Sequence, residues 1–111
     1  MPYISKNRRN DLDFHVADLV SELHTKGTGY GAKKPGELNY VITKLILGYL
    51  YQKKNQEIVH SPRYTDMNEV MGVLECVRTE FYRKEVAPYE DEKAELNGDV
   101  FPGQDKRDPS A

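Results

Sequence analysis

Glu75, Arg78 and Tyr82 stand at i, i+3 and i+7, so a helical backbone places them on one face, and Arg83, Tyr89 and Glu90 follow closely. A guanidinium forks onto a carboxylate or phosphate, and phenol rings stack on planar or cationic groups. This set therefore suits a small anionic ligand such as a nucleotide or nucleotide signal. A second polar group, Glu37, Asn39 and Tyr40, opens an apolar segment upstream, where an amide is more useful facing a partner than facing water. Together Glu37, Asn39, Tyr40, Glu75, Tyr82, Arg83, Tyr89 and Glu90 form the candidate ligand- or partner-binding set. The plainer reading is that Glu75 pairs with Arg78 or Thr79 along its own helix, worth about 0.2 to 0.5 kcal/mol on a surface.

Other chemistries find less support. GTGYGAKK before a helix offers amides and lysines to a phosphate, but Ala32 and Lys34 stand where a Walker A loop needs Gly and Ser or Thr. A surface connection fits better. His15, His24 and His60 lack a shared-metal spacing, and a single cysteine excludes a thiolate-rich zinc site, so no metal or cofactor is expected. Glu69, Glu75 and Glu80 step by six and five and diverge around a helix, unlike the paired carboxylates that hold magnesium. Cys76 reads as a small buried thiol without a histidine to activate it. A general base at Glu37 or Glu75 would have no nucleophile beside it, so the chain reads as non-enzymatic.

These residues must be positioned by a small chain. One domain fits 111 residues with 38% apolar content, burying roughly 65% of the unfolded surface. With 16 Lys and Arg against 18 Asp and Glu, the net charge of -2 argues against nucleic-acid binding driven by phosphate neutralisation. The lone cysteine and the lack of a signal-like apolar core point to a reduced, cytoplasmic setting. The apolar run from Tyr40 to Tyr51 is too short for a membrane span.

The periodicity predicts an all-α fold, a small bundle of three main helices plus a short C-terminal one. Val16, Leu19, Val20 and Leu23 mark a first helix over about 11–25, opened by Asp11 or Asp13. Pro35 and Glu37 open a second over about 36–53. KNQEIVHSPRY reads as a loop, and Asp66-x-x-Glu69 as a capping box for a third helix over about 66–86. Val70, Leu74, Val77 and Phe81 give that helix its apolar face. Pro88 predicts a kink, then a short acidic helix over about 89–97 stopped by Asn97-Gly98. Residues 1–97 form the domain and 98–111 a tail.

The second helix is apolar around most of its circumference, which asks for more cover than a narrow stripe on each of two amphipathic neighbours. Either the long loops or helix four cover it within one subunit, or Leu47, Gly48 and Tyr51 lie in a homo-oligomer interface, with a dimer favoured; the interface is the reading taken here.

GELNYVITKLI at 36–46, NEVMGVLECVRTEFYRKEVAPYEDEK at 68–93 and NGDV at 97–100, with MPYI at the start, resemble a family of short proteins of tailed phages and bacteria catalogued as a domain of unknown function. The order and spacing of GELNY, LEC, EFYR and APYED carry the likeness. It implies a helical phage-type accessory protein without assigned activity, working in the host cytoplasm through a host protein or through self-association. The glycine-rich loop and the second loop are longer here than the family pattern, which weakens a phosphate-binding role for the former.

Overall fold

The computed structural model describes residues 2–25 and 34–103. Among them the order is α1 (Lys6–Thr25), α2 (Pro35–Leu50), β1 (Gln52–Lys54), β2 (Glu57–His60), α3 (Tyr64–Phe81), a π-helical turn (Tyr82–Val86) and α4 (Ala87–Asn97). The protein is predominantly helical with one small hairpin. Residues 27–33 of the glycine-rich stretch, and 104–111 of the expected tail, lie outside the described residues. The chain divides into two units, Met1–Met71 and Gly72–Ala111.

In the first unit, α1 begins five residues earlier than its apolar periodicity suggests. Ser5 is the reason: its Oγ accepts from the Arg8 N–H at 3.3 Å, satisfying a first-turn amide that would otherwise lack a partner. Asp11, expected to open the helix, instead lies inside it and pairs with Arg8 at 3.6 Å. The basic stretch is thus the first turn of α1, not a lead-in. Pro35 begins α2 at the position where its missing N–H costs nothing, and Glu37 sits in the first turn, 3.6 Å from Lys34. The helix ends at Leu50 instead of near 53, because Tyr51 adopts an extended backbone (φ −102°, ψ 91°) while its N–H still donates to the Leu47 carbonyl.

The segment expected to be a loop is an antiparallel hairpin. Gln52 pairs with His60, Lys53 with Ile58 and Lys54 with Glu57, with an irregularity between Gln52 and Lys53. Two residues connect the strands, Asn55 (φ 54°) and Gln56 (φ 69°), the pair of positive values that a type I′ turn requires. Asn tolerates this region, whereas Gln carries a Cβ penalty there. The Asn-Gln pair lacks the glycine that signals such a turn, which is why the strands are hard to read from residue types.

Past the hairpin, α3 starts two residues before Asp66. Asp66 therefore takes the reaching-back role in the cap: its Oδ2 accepts from the Arg63 N–H at 2.9 Å and lies 3.5 Å from the Arg63 guanidinium and 3.8 Å from His60. Glu69, expected in that role, sits a turn further on.

In the second unit, the backbone stays helical through the expected kink. Pro88 has no N–H, and its ring presses on the carbonyl four residues back, so a regular α-helix is obstructed there. A wider turn resolves this, with the Ala87 N–H donating to the Tyr82 carbonyl five residues earlier. The next helix is consequently α4 from Ala87, not a restart at Tyr89. It stops at Asn97, where Gly98 takes φ 91° and donates its N–H to the Ala94 carbonyl.

No described residue is buried. Within the units, extensive contact between elements is confined to β1 with β2 and to the π turn with α4. Val70 and Leu74 of the predicted α3 stripe are half-buried, whereas Val77, Phe81 and Cys76 are exposed. Cys76 is thus exposed and not the buried thiol its neighbourhood suggested, because no described residue covers it.

Two outcomes follow. Gln56→Gly should raise stability by about 1 kcal/mol by relieving the positive-φ cost in the turn, read as a higher midpoint in denaturant unfolding. The Arg63 backbone N–H, reinforced by the Arg63 guanidinium, holds the Asp66 carboxyl below its ordinary 3.8. Its contribution to stability is then present above pH 3.8 and lost as pH falls through the lowered value. Asp66→Asn should flatten that part of the acid unfolding profile.

Candidate functional site

The candidate residues fall in both units, and each group has its own geometry. In the first unit, the Asn39 amide oxygen accepts from the Thr43 hydroxyl at 3.2 Å, one turn along the same helix. Glu37 is partnered by Lys34, and Tyr40 remains 64% exposed. The Asn39 amide is thus engaged along α2, an ordinary i, i+4 pairing.

Leu47, Gly48 and Tyr51 gather along one wall of an open groove of about 500 Å³, with Lys44 beside them and Lys53 and Ile58 of the hairpin opposite. Sequence periodicity could group these three residues on a helix expected to reach 53, although Tyr51 lies just past the end of α2. It could not supply the opposite wall, since the hairpin was unread. A methyl group added at Gly48 would meet no atom within 4 Å, so no contact among the described residues requires glycine there.

In the second unit the polar flank is a run of short-range pairs. Arg78 and Thr79 both donate to Glu75 Oε1, at 3.4 and 3.5 Å. Arg83 Nε donates to Glu80 Oε1 at 3.1 Å, so its guanidinium turns back along α3 and does not join the tyrosines. The Tyr89 ring instead faces the Lys93 ammonium, 5.6 Å from its centroid.

The contact that crosses the greatest stretch of chain in this flank is Tyr82 Oη donating to Glu90 Oε1 at 3.1 Å. Eight residues of regular α-helix would leave two side chains roughly 80° apart around the axis, given about 100° per residue. The π turn between them holds roughly one residue more than an α turn and takes up most of that angle. Pro88 therefore brings Tyr82 and Glu90 to one face. The Glu90 carboxylate holds the Tyr82 phenol above its ordinary 10.0, first through the hydrogen bond and then through its charge.

Among the described residues, no cluster of three His, Cys, Asp or Glu side chains stands close enough to share a metal ion, and no helix is long and apolar enough to cross a membrane. Glu80 and Thr43, which sequence reasoning did not single out as partners, are the residues that engage Arg83 and Asn39. Both stand at an i, i+3 or i, i+4 step, the signal that could have found them.

A titration checks the Tyr82 pair. The raised phenol value means that the pair stabilises the fold below pH 10.0 and that this contribution is lost as pH rises through the raised value. Ring NMR titration should show Tyr82 ionising above 10.0. Glu90→Gln should bring it back toward 10.0, and Pro88→Ala should do the same by restoring an α turn; a Tyr82 that still titrates late in both variants would rule out the Glu90 contact as its cause.

No curated protein and no solved structure matches the chain. A family profile described as a domain of unknown function (DUF6899) matches residues 1–100, nine-tenths of the sequence and both groups of candidate residues. The chain belongs to that family.

Proposed function

We propose that this is a non-enzymatic helical accessory protein that acts by protein–protein interaction, and first of all by associating with itself. The observation that carries the reading is the absence of any buried residue among those described, although 38% of the chain is apolar. Phe14 is 70% exposed and Tyr49 72%, and α2 carries apolar side chains on more than one face without an element packed extensively against it. Apolar surface of this extent is unfavourable in water by about 25 cal/mol per Å², which favours any arrangement that covers it. The helical bundle that the periodicity calls for would then be completed between copies, with helices of one chain filling positions that a larger domain fills from its own sequence.

The short-range pairing of Glu75, Arg83 and Asn39 supports the same reading, since their polar groups are engaged along their own helices. Phage association and a place in the host cytoplasm rest on the likeness of the GELNY, LEC, EFYR and APYED segments to their family. A host protein would be a second partner, reached by the assembled form.

Light scattering on the eluted protein at tens of micromolar should give a mass of at least twice 12.8 kDa, and the melting temperature should rise with protein concentration. A strict monomer with a concentration-independent melting temperature would remove the self-association reading.

A further inference from the structure

The groove between α2 and the hairpin carries a charge that the described residues do not neutralise. Lys44 stands on its helical wall and Lys53 on its hairpin wall, both exposed, and Leu47, Gly48, Tyr51 and Ile58 complete the lining without a carboxylate. Arg8, Lys34, Arg63, Arg78 and Arg83 each stand beside an acidic side chain three residues away. Among the described residues, Lys44 and Lys53 have no such partner.

The reason lies in the residues around them. A helical Lys44 reaches Tyr40, Val41, Leu47 and Gly48 at three- and four-residue steps, and the one carboxylate of α2, Glu37, is engaged by Lys34. On the hairpin, Lys53 stands opposite Ile58, while the acidic Glu57 stands opposite Lys54 on the alternate face. Two ammonium groups thus border an apolar floor, which is the complement of an anion with an apolar body.

We infer that the groove binds a small amphipathic anion, a carboxylate on an alkyl tail as in a free fatty acid. Its volume of about 500 Å³ lies within the roughly 300 to 1,000 Å³ of small-molecule sites. The tail lies over Gly48 between Leu47 and Ile58, which are 43% and 54% exposed, and the head stays at the rim, where the lysines keep their ammonium groups in water and lay their methylene stems along the tail. Gly48 gives the tail its room, since nothing stands within 4 Å of where a Cβ would be. Nucleotides and peptides fit less well: base edges and backbone amides need several fixed partners, and the lining side chains offer only ammonium groups and the Tyr51 hydroxyl.

The site stands apart from the self-association reading. At about 100° per residue, the exposed Leu38, Ile42, Leu45 and Tyr49 form a second stripe centred roughly 140° round α2 from Lys44, Leu47 and Gly48. Leu47, Gly48 and Tyr51 then serve a ligand, and the other stripe is left for a second copy to cover. Light scattering reads the one and titration of the groove reads the other.

The test titrates the full chain with octanoate, kept below micelle formation, and follows backbone amide shifts by NMR. Octylammonium, with the same tail and the opposite head, is the control; the net charge of -2 would favour it if the attraction were unspecific. Octanoate should give saturable shifts centred on Leu47, Gly48 and Ile58, and octylammonium should bind at least about tenfold more weakly. Lys44→Gln together with Lys53→Gln should weaken octanoate about tenfold and abolish the preference for it. Gly48→Leu should fill the groove, remove the saturable shifts and keep or raise the melting temperature, since leucine suits a helix interior better than glycine. Octylammonium binding as tightly as octanoate, shifts spread over exposed apolar residues outside the groove such as Phe14 and Val77, or an affinity unchanged by Gly48→Leu would each overturn the site. So would the absence of saturable shifts.

Discussion

The constraint on which the structure depends is that an apolar helix face is costly to leave in water, and the described residues supply little to cover it with. A helix hides one stripe against a neighbour, and small domains succeed by giving every stripe such a neighbour. Here α2 is apolar on more than one side, while the hairpin touches only the end of one side. An isolated two-stranded hairpin is itself marginal in water, so β1 and β2 gain from anything that closes the groove they share with α2. Covering the groove would therefore stabilise both of its walls together.

The polar residues follow a different logic in each unit. Along α3 and α4 they pair at three- and four-residue steps, which satisfies each group cheaply and leaves the surface solvated. The exception is Tyr82 with Glu90, because it depends on a backbone irregularity and not on ordinary helix spacing. A π turn loses some hydrogen-bond quality, and Pro88 makes that loss smaller than the clash it avoids. The two features are coupled: the proline selects the turn, and the turn selects the tyrosine's partner.

What could be read from residues alone divides along the same line. Regular helices announce themselves through apolar spacing and end signals, so Pro35 and Glu37 at the start of α2, and Asn97-Gly98 at the end of α4, were legible. The start of α1 was not, because Ser5 precedes a basic, polar turn without apolar spacing to mark it. The hairpin was hidden because its strands are three and four residues long, every side chain on them is exposed, and the turn uses Gln56 where glycine would have signalled it. Pro88 showed that the helix must be perturbed without showing how. A kink and a wider turn both answer the same steric problem, and the choice depends on contacts made beyond the proline.

The candidate site shows the same limit more sharply. Residue type and spacing put Glu75, Tyr82, Arg83, Tyr89 and Glu90 on one stretch of helical chain but did not give their pairing, since Glu80 and Lys93 engage Arg83 and Tyr89 at closer spacing. Local partners win wherever a side chain can reach one within a turn, because the entropy of ordering two groups on one helix is small. A helix surface rich in alternating charges therefore tends to satisfy itself. Aliphatic residues gain less this way: a leucine paired with a neighbour on its own helix still leaves most of its surface in water. In this protein the polar flank is consequently satisfied within its own helices, whereas among the described residues the apolar side chains of α2 stay exposed.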